Sequence, residues 1–176
     1  MNLKKVKIIG TFIVFLLTVL LHFVYGWYPK FIVSIVAPVN ESIWEHMKLI
    51  YTSFIFYGIF EYLVIRKKVK FNNYLFQLFL VPVIGIISYL IIYLPIYNII
   101  GENIIINISL LFLIIILEEV ISFYILNMNK LKYGNILGAI GIILGYVLFF
   151  YFTYYPPHNY LFLDTQTNSY GIDEKN

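Results

Sequence analysis

The chain has 176 residues, 61% of them hydrophobic, 20% aromatic and only 12% charged, with a net charge of +3. A soluble domain is nearer a quarter charged, and a fold of this length cannot hide so much apolar surface in itself, so the composition points to lipid as the solvent. There is no cysteine, which excludes disulfides, thiolate catalysis and Cys-ligated metals; no basic face with interleaved aromatics marks a nucleic-acid partner.

A helix needs about 20 mostly apolar residues to cross the hydrocarbon core. Residues 8–25 form the first such segment, behind Lys4, Lys5 and Lys7. This start resembles a signal peptide, but no small-x-small cleavage site follows, so it reads as an uncleaved first transmembrane helix.

Residues 38–48, Pro-Val-Asn-Glu-Ser-Ile-Trp-Glu-His-Met-Lys, are the densest polar stretch of the apolar part. They open the second span, 43–65. Ser42 to Glu45 matches the capping box, with Asn40 or Ser42 as the N-cap. Ser42 and His46 are four apart and share a face, as are Glu41 and Glu45. Such a carboxylate–imidazole set either caps the helix or binds a metal and activates water.

Arg66, Lys67, Lys68 and Lys70 follow, then the third span, 74–94, interrupted by Pro82 and Gly85. Pro82 removes a backbone hydrogen bond and predicts a kink. Residues 95–103 read as the next break. The fourth span, 104–126, carries Glu118 and Glu119, with Glu118 about 12 Å from its inner end. Charges at that depth face protein or water, and no basic residue lies deep in these spans. They read as interhelical hydrogen-bonding groups or as a proton or cation relay. Glu61, nearer the end of span two, is in reach of Arg66.

The fifth span, 135–155, follows Gly134 and contains Gly138, Gly141 and Gly145. That stripe of missing side chains lets another helix approach closely. It serves packing inside one bundle or a homodimer or partner-subunit seam. Pro156 and Pro157 stop the helix. Residues 156–176 then form a tail in which Leu161, Phe162 and Leu163 are apolar enough to dock back as a lid, and Asp164 to Asn168 reads as a turn. The last four residues read as frayed.

With five spans, nine of the twelve basic residues fall on one side. The positive-inside rule puts the N-terminus in the cytoplasm and the tail outside. The fold class is therefore all-α: a five-helix bundle in residues 1–155, multi-pass in a bacterial cytoplasmic membrane. Abundant Ile, Asn, Lys and Tyr suggest an AT-rich bacterial genome.

In this topology His22, His46 and His158 all come to the outer surface, with Glu41, Glu45 and Asp164 in the same layer. Three imidazoles suit zinc, which takes three protein ligands and leaves a place for water. Co-ligands of one zinc lie within about 4 Å of one another. The candidate metal ligands are thus His22, His46 and His158; Glu41, Glu45, His46 and Asp164 are the candidate acid–base or orienting groups.

Residues 38–48, together with Pro156-Pro157-His158 through Asp164 to Tyr170-Gly171, resemble a family of small multi-pass membrane proteins of Gram-positive, clostridia-like bacteria, defined as a domain of unknown function. That resemblance implies membership and no activity. A second likeness is to the membrane hydrolase superfamily that includes alkaline ceramidases. Ser42 and His46 match its S-x-x-x-H; His158 opens its closing H-x-x-x-H, with Phe162 in place of the second His. It implies zinc-dependent amide hydrolysis and seven helices where five are counted here.

Three functions follow as expectations. One is a metal-dependent membrane hydrolase or lipid-modifying enzyme at the outer face. The second is a small transporter or ion-coupled permeation protein using Glu61, Glu118 and Glu119. The third is a non-catalytic membrane partner subunit.

Overall fold

The computed structural model describes residues 2–66 and 72–172. Six helices follow in order: α1 (Leu3–Trp27), α2 (Phe31–Val36), α3 (Ile43–Ile65), α4 (Tyr74–Ile100), α5 (Ile104–Asn127) and α6 (Gly134–Tyr154). The tail adds a two-stranded antiparallel hairpin, β1 (Leu163–Asp164) with β2 (Ser169–Tyr170). All helices but α2 are long and apolar enough to cross a membrane, which marks a multi-pass membrane protein. Large apolar side chains such as Leu16, Ile91 and Ile143 cover its outside. That is the surface lipid solvates.

The sequence boundaries move in three places. α1 begins at Leu3, so Lys4, Lys5 and Lys7 belong to the helix rather than to a flanking loop. Asn2 caps it by accepting from the Lys5 amide at 3.0 Å. α4 runs through Pro95 to Ile100 instead of ending at residue 94; Gly101, with φ +77°, ends it in a conformation that glycine alone adopts freely. The short α2 was not foreseen. The charged residues 67, 68 and 70, and the tail end from 173, lie outside the described residues.

α3 is the central helix. Two thirds of it, 67%, is buried inside the protein, against at most 33% for the other long helices. It packs against α1, α4 and α6. This is why the least apolar span carries Glu45, Lys48, Thr52, Ser53 and Glu61 without facing lipid.

The glycines of α6 are covered within the chain. A Cβ on Gly138 meets the Leu75 backbone at 2.2 Å, on Gly141 the Phe79 ring at 2.5 Å, and on Gly145 the Tyr51 hydroxyl at 2.3 Å. The stripe lets α6 close on α4 and α3. Gly85 of α4 plays a similar part for a polar group: its missing side chain leaves the room that the Glu118 carboxylate fills, 2.5 Å from where a Cβ would stand.

Candidate metal centre

Antiparallel helices bring two polar layers to opposite ends of the bundle. The end of α1, the starts of α3 and α5, the end of α4 and the tail share the histidine end. The start of α1, the ends of α3 and α5 and the start of α4 share the lysine end.

At the histidine end, α1 supplies His22 and α3 supplies His46, and their rings stack with centroids 5.3 Å apart. Glu41 reaches both from just before α3. Its Oε2 lies 3.3 Å from His46 Nε2 and its Oε1 3.8 Å from His22 Nε2. One ligand atom from each of the three residues lies within 4.8 Å of the others. All three side chains are about one third exposed.

The proton positions carry the argument. His46 Nδ1 lies 2.9 Å from the Ser42 carbonyl. A carbonyl only accepts, so Nδ1 bears the proton. Nε2 then points at a carboxylate, which also only accepts. A proton shared between the ring and the carboxyl, or a metal ion, satisfies both. The backbone carbonyl on the far nitrogen is the orienting contact that metal-bound histidines ordinarily have. His46 hydrogen-bonded to Glu41 holds that carboxyl below the usual range, against the upward push of its partial burial.

The remaining sequence candidates have other partners. Ser42 caps α3, its Oγ accepting from the Glu45 amide at 3.3 Å. Glu45 does not return the bond to Ser42, whose amide donates to Asn40 Oδ1 instead. The Glu45 carboxylate is buried and takes Lys48 Nζ at 2.6 Å, Thr153 Oγ1 at 2.7 Å and the Val39 amide at 3.0 Å. Lys48 also donates to the Ser34 carbonyl of α2 and to Thr153. This network fastens α2, α3 and α6 and leaves Glu45 no free oxygen for chemistry.

Asp164 is buried in the tail. It accepts from the Gln166 and Thr167 amides and from the Thr167 hydroxyl, closing the expected turn. Its Oδ2 also accepts from the Glu41 amide at 3.4 Å, so the tail braces the backbone of a candidate ligand. Burial pushes the Asp164 carboxyl up, but these bonds outweigh it and hold it below its ordinary value. His158 does not join His22 and His46; it is exposed and stacks on Tyr170 at 4.5 Å. Phe162 docks against Trp44 and Phe152, and the Leu161 carbonyl accepts from the Trp44 amide.

The His–Glu group stands at the mouth of a cavity of about 450 Å³. Its walls come from α1, α3, α4 and α5, and tail residues Tyr160, Leu163, Thr165 and Gln166 close part of its rim. Tyr89, Tyr93 and Tyr97 line it from one face of α4. Sequence reasoning missed this wall, although the spacing of four was visible.

At the lysine end, Lys7 is buried and its Nζ lies 2.6 Å from Glu61 and 3.2 Å from Glu119. Glu61 therefore pairs with α1 and not with Arg66, whose guanidinium sits 6.0 Å over the Tyr62 ring. The missing deep cation was Lys7. The topology itself holds the signal, since the second turn of α1 stands level with the ends of α3 and α5. Glu118 is fully buried against α4, with no hydrogen bond to either oxygen among the described residues.

Fold and site together define a polytopic helical membrane protein with a two-histidine, one-carboxylate group at one end. The model of a family of unknown function, DUF6512, matches residues 1–172, and the chain belongs to that family. No curated protein and no solved structure matches it.

Proposed function

We propose that this chain is a divalent-metal-dependent hydrolase of the cell membrane, with His22, Glu41 and His46 as the protein ligands. One observation carries the reading: two imidazole nitrogens and a carboxylate converge within 4.8 Å, with the far nitrogen of His46 already spent on a carbonyl. Two histidines and one carboxylate are a common zinc set for hydrolysis. Closing the group to zinc–ligand distances asks for side-chain movements of under about an ångström.

A metal held there supplies a Lewis acid and a nucleophilic water near neutral pH. The protein's own parts do the rest. The Ser42 carbonyl fixes the His46 ring, and Asp164 positions Glu41 through its amide. The reaction class is hydrolysis of an ester or amide: water's oxygen bonds to the carbonyl carbon, the bond to the leaving group breaks, and one water proton goes to that group. The positive-inside rule supports this end lying outside the cytoplasm, and the abundance of Ile, Asn, Lys and Tyr supports a bacterial membrane. The Ser42–His46 spacing shared with alkaline-ceramidase-type hydrolases supports the chemistry but not the ligand set.

The test is zinc titration of purified protein in mild detergent, with metal content by mass spectrometry. One ion per chain is expected, lost in His22→Ala, Glu41→Ala and His46→Ala while the helical circular dichroism stays. Wild-type protein that folds and takes up no divalent ion overturns the reading and leaves an imidazolium–carboxylate pair.

A further inference from the structure

We infer that the cavity takes one acyl chain of a bilayer lipid, admitted sideways between α1 and α5, with the lipid's ester or amide linkage at the His22–Glu41–His46 group. This rests on the proposed hydrolytic centre and names its substrate class.

The first observation is polarity by depth. Apart from the Thr18 and Tyr89 hydroxyls, the polar side chains of the lining, among them His22, Glu41, His46, Glu102 and Asn107, stand near the mouth. Below them the walls turn to Ile50, Leu111 and Phe15. Phe15 and Leu111 lie seven residues below His22 and Ile104, about 10 Å at 1.5 Å per residue. That is about a third of the hydrocarbon thickness. A polar top and an apolar floor at that depth match the junction of a lipid's linkage and its chain.

The second observation is where the cavity opens. Val19 and Ile108 line it, yet are 45% and 48% exposed on the side of the bundle that lipid covers. Ile104, also in the lining, is 72% exposed. Exposed lining residues on both helices mark the seam between α1 and α5, in the upper half of the bundle, as the gap through which the cavity opens. Below it the gap closes, where Phe112 packs edge-on against Phe15 at 5.3 Å and near Phe12 at 6.2 Å. A molecule dissolved in the membrane reaches the metal group through this gap without passing through water, and the tail covers the aqueous rim.

The third observation is unspent hydrogen-bonding capacity. Asn107 Oδ1 and His22 Nδ1 are buried atoms of the lining with no partner among the described residues. Buried polar groups ordinarily have one. The hydroxyl or amide N–H of a lipid's linkage region supplies donors to Asn107 at the right level. Pockets of a few hundred Å³ bury most of a drug-sized ligand, so about 450 Å³ holds the upper part of one chain, and a second chain stays in the bilayer.

The experiment uses the full chain in phosphatidylglycerol–phosphatidylethanolamine vesicles. A tracer ceramide phosphoethanolamine, whose linkage carries a hydroxyl and an amide N–H, holds a photoactivatable diazirine partway down its acyl chain, and crosslinked peptides are mapped by mass spectrometry. Label is expected on Ile50, Tyr89 and Leu111. Ile108→Trp and, independently, Val19→Trp fill the gap and lose that label; Ile140→Trp, on the lipid-facing side of α6, keeps it. Label confined to outward residues such as Leu16, or interior label indifferent to both gap variants, overturns the proposal. Zinc titration of the same samples separates the two ideas. Zinc bound without interior label sinks the acyl pocket alone, and interior label without zinc sinks the metal centre alone.

Discussion

Lys7 Nζ lies 2.6 Å from Glu61 Oε1, and both side chains are almost wholly buried. The pair joins the second turn of α1 to the last turns of α3, and Glu119 brings α5 to the same ammonium. Removing one partner of such a group strands uncompensated charge, which costs about 3–5 kcal/mol. Lys7→Met is therefore expected to destabilise by that order in thermal unfolding in detergent. Adding Glu61→Gln to Lys7→Met should cost less than the two single changes summed, because the second change removes a charge the first left unpaired. Strict additivity would show that the pair does not couple.

Metal removal gives a second measurement. A ligand that binds the folded state alone stabilises it by about 2.7 kcal/mol at a hundred times its dissociation constant. Zinc should raise the unfolding temperature of the wild type, and a chelator should return it. Glu41→Gln keeps the volume of the side chain but loses the charge, and its unfolding temperature should ignore both additions.

The glycines of α6 separate packing from helix propensity. Gly138→Ala drives a methyl into the Leu75 backbone, where no flexible side chain can yield. Overpacking of this kind costs about 1–3 kcal/mol. Gly26, inside α1, has nothing within 4 Å of its Cβ position, so Gly26→Ala should be neutral or mildly stabilising. The two unfolding curves, measured side by side, check the assignment of the stripe to contacts within the chain.

Asp164 ties the tail to the backbone of Glu41 in the His–Glu group. Asp164→Ala leaves the Glu41, Gln166 and Thr167 amides without their acceptor, a loss of about 1–3 kcal/mol for a buried unsatisfied group. The hairpin should become cleavable by added protease, and zinc affinity should fall while α1 to α6 stay folded. Zinc affinity equal to wild type would remove the positioning role.

The absence of cysteine from the chain makes orientation simple to read. Thr165→Cys, on the cavity rim, should react with a membrane-impermeant maleimide in intact cells. Lys132→Cys, in the α5–α6 turn, should react only after the cells are opened. The reverse pattern would invert the bundle and put the His–Glu group in the cytoplasm.

α3, α5 and α6 lie within one residue of the spans that patterning predicts, whereas α1 begins five residues earlier, among its lysines, and α4 ends six residues later, where the punctuation is weaker than the helix. Pro95 reads as a stop, yet α4 continues past it, because an apolar helix in contact with α5 and α6 loses little by one missing amide. Ser42 was legible as a cap, since capping is a property of adjacent residues. Glu45 was legible only as a candidate, because its partners Lys48, Thr153 and Val39 come from three elements.

By itself the sequence determined the class of this protein. Composition, the length of apolar runs and the placing of charges are one-dimensional quantities, and transfer into lipid depends on little else. The tertiary structure decided which polar groups meet. Helix rotation and register set that, so His46 found Glu41 and His22 while His158 went to Tyr170, and Glu61 and Glu119 found Lys7. The energy of a buried charge depends on its neighbours within a few ångströms, and those neighbours are chosen by packing.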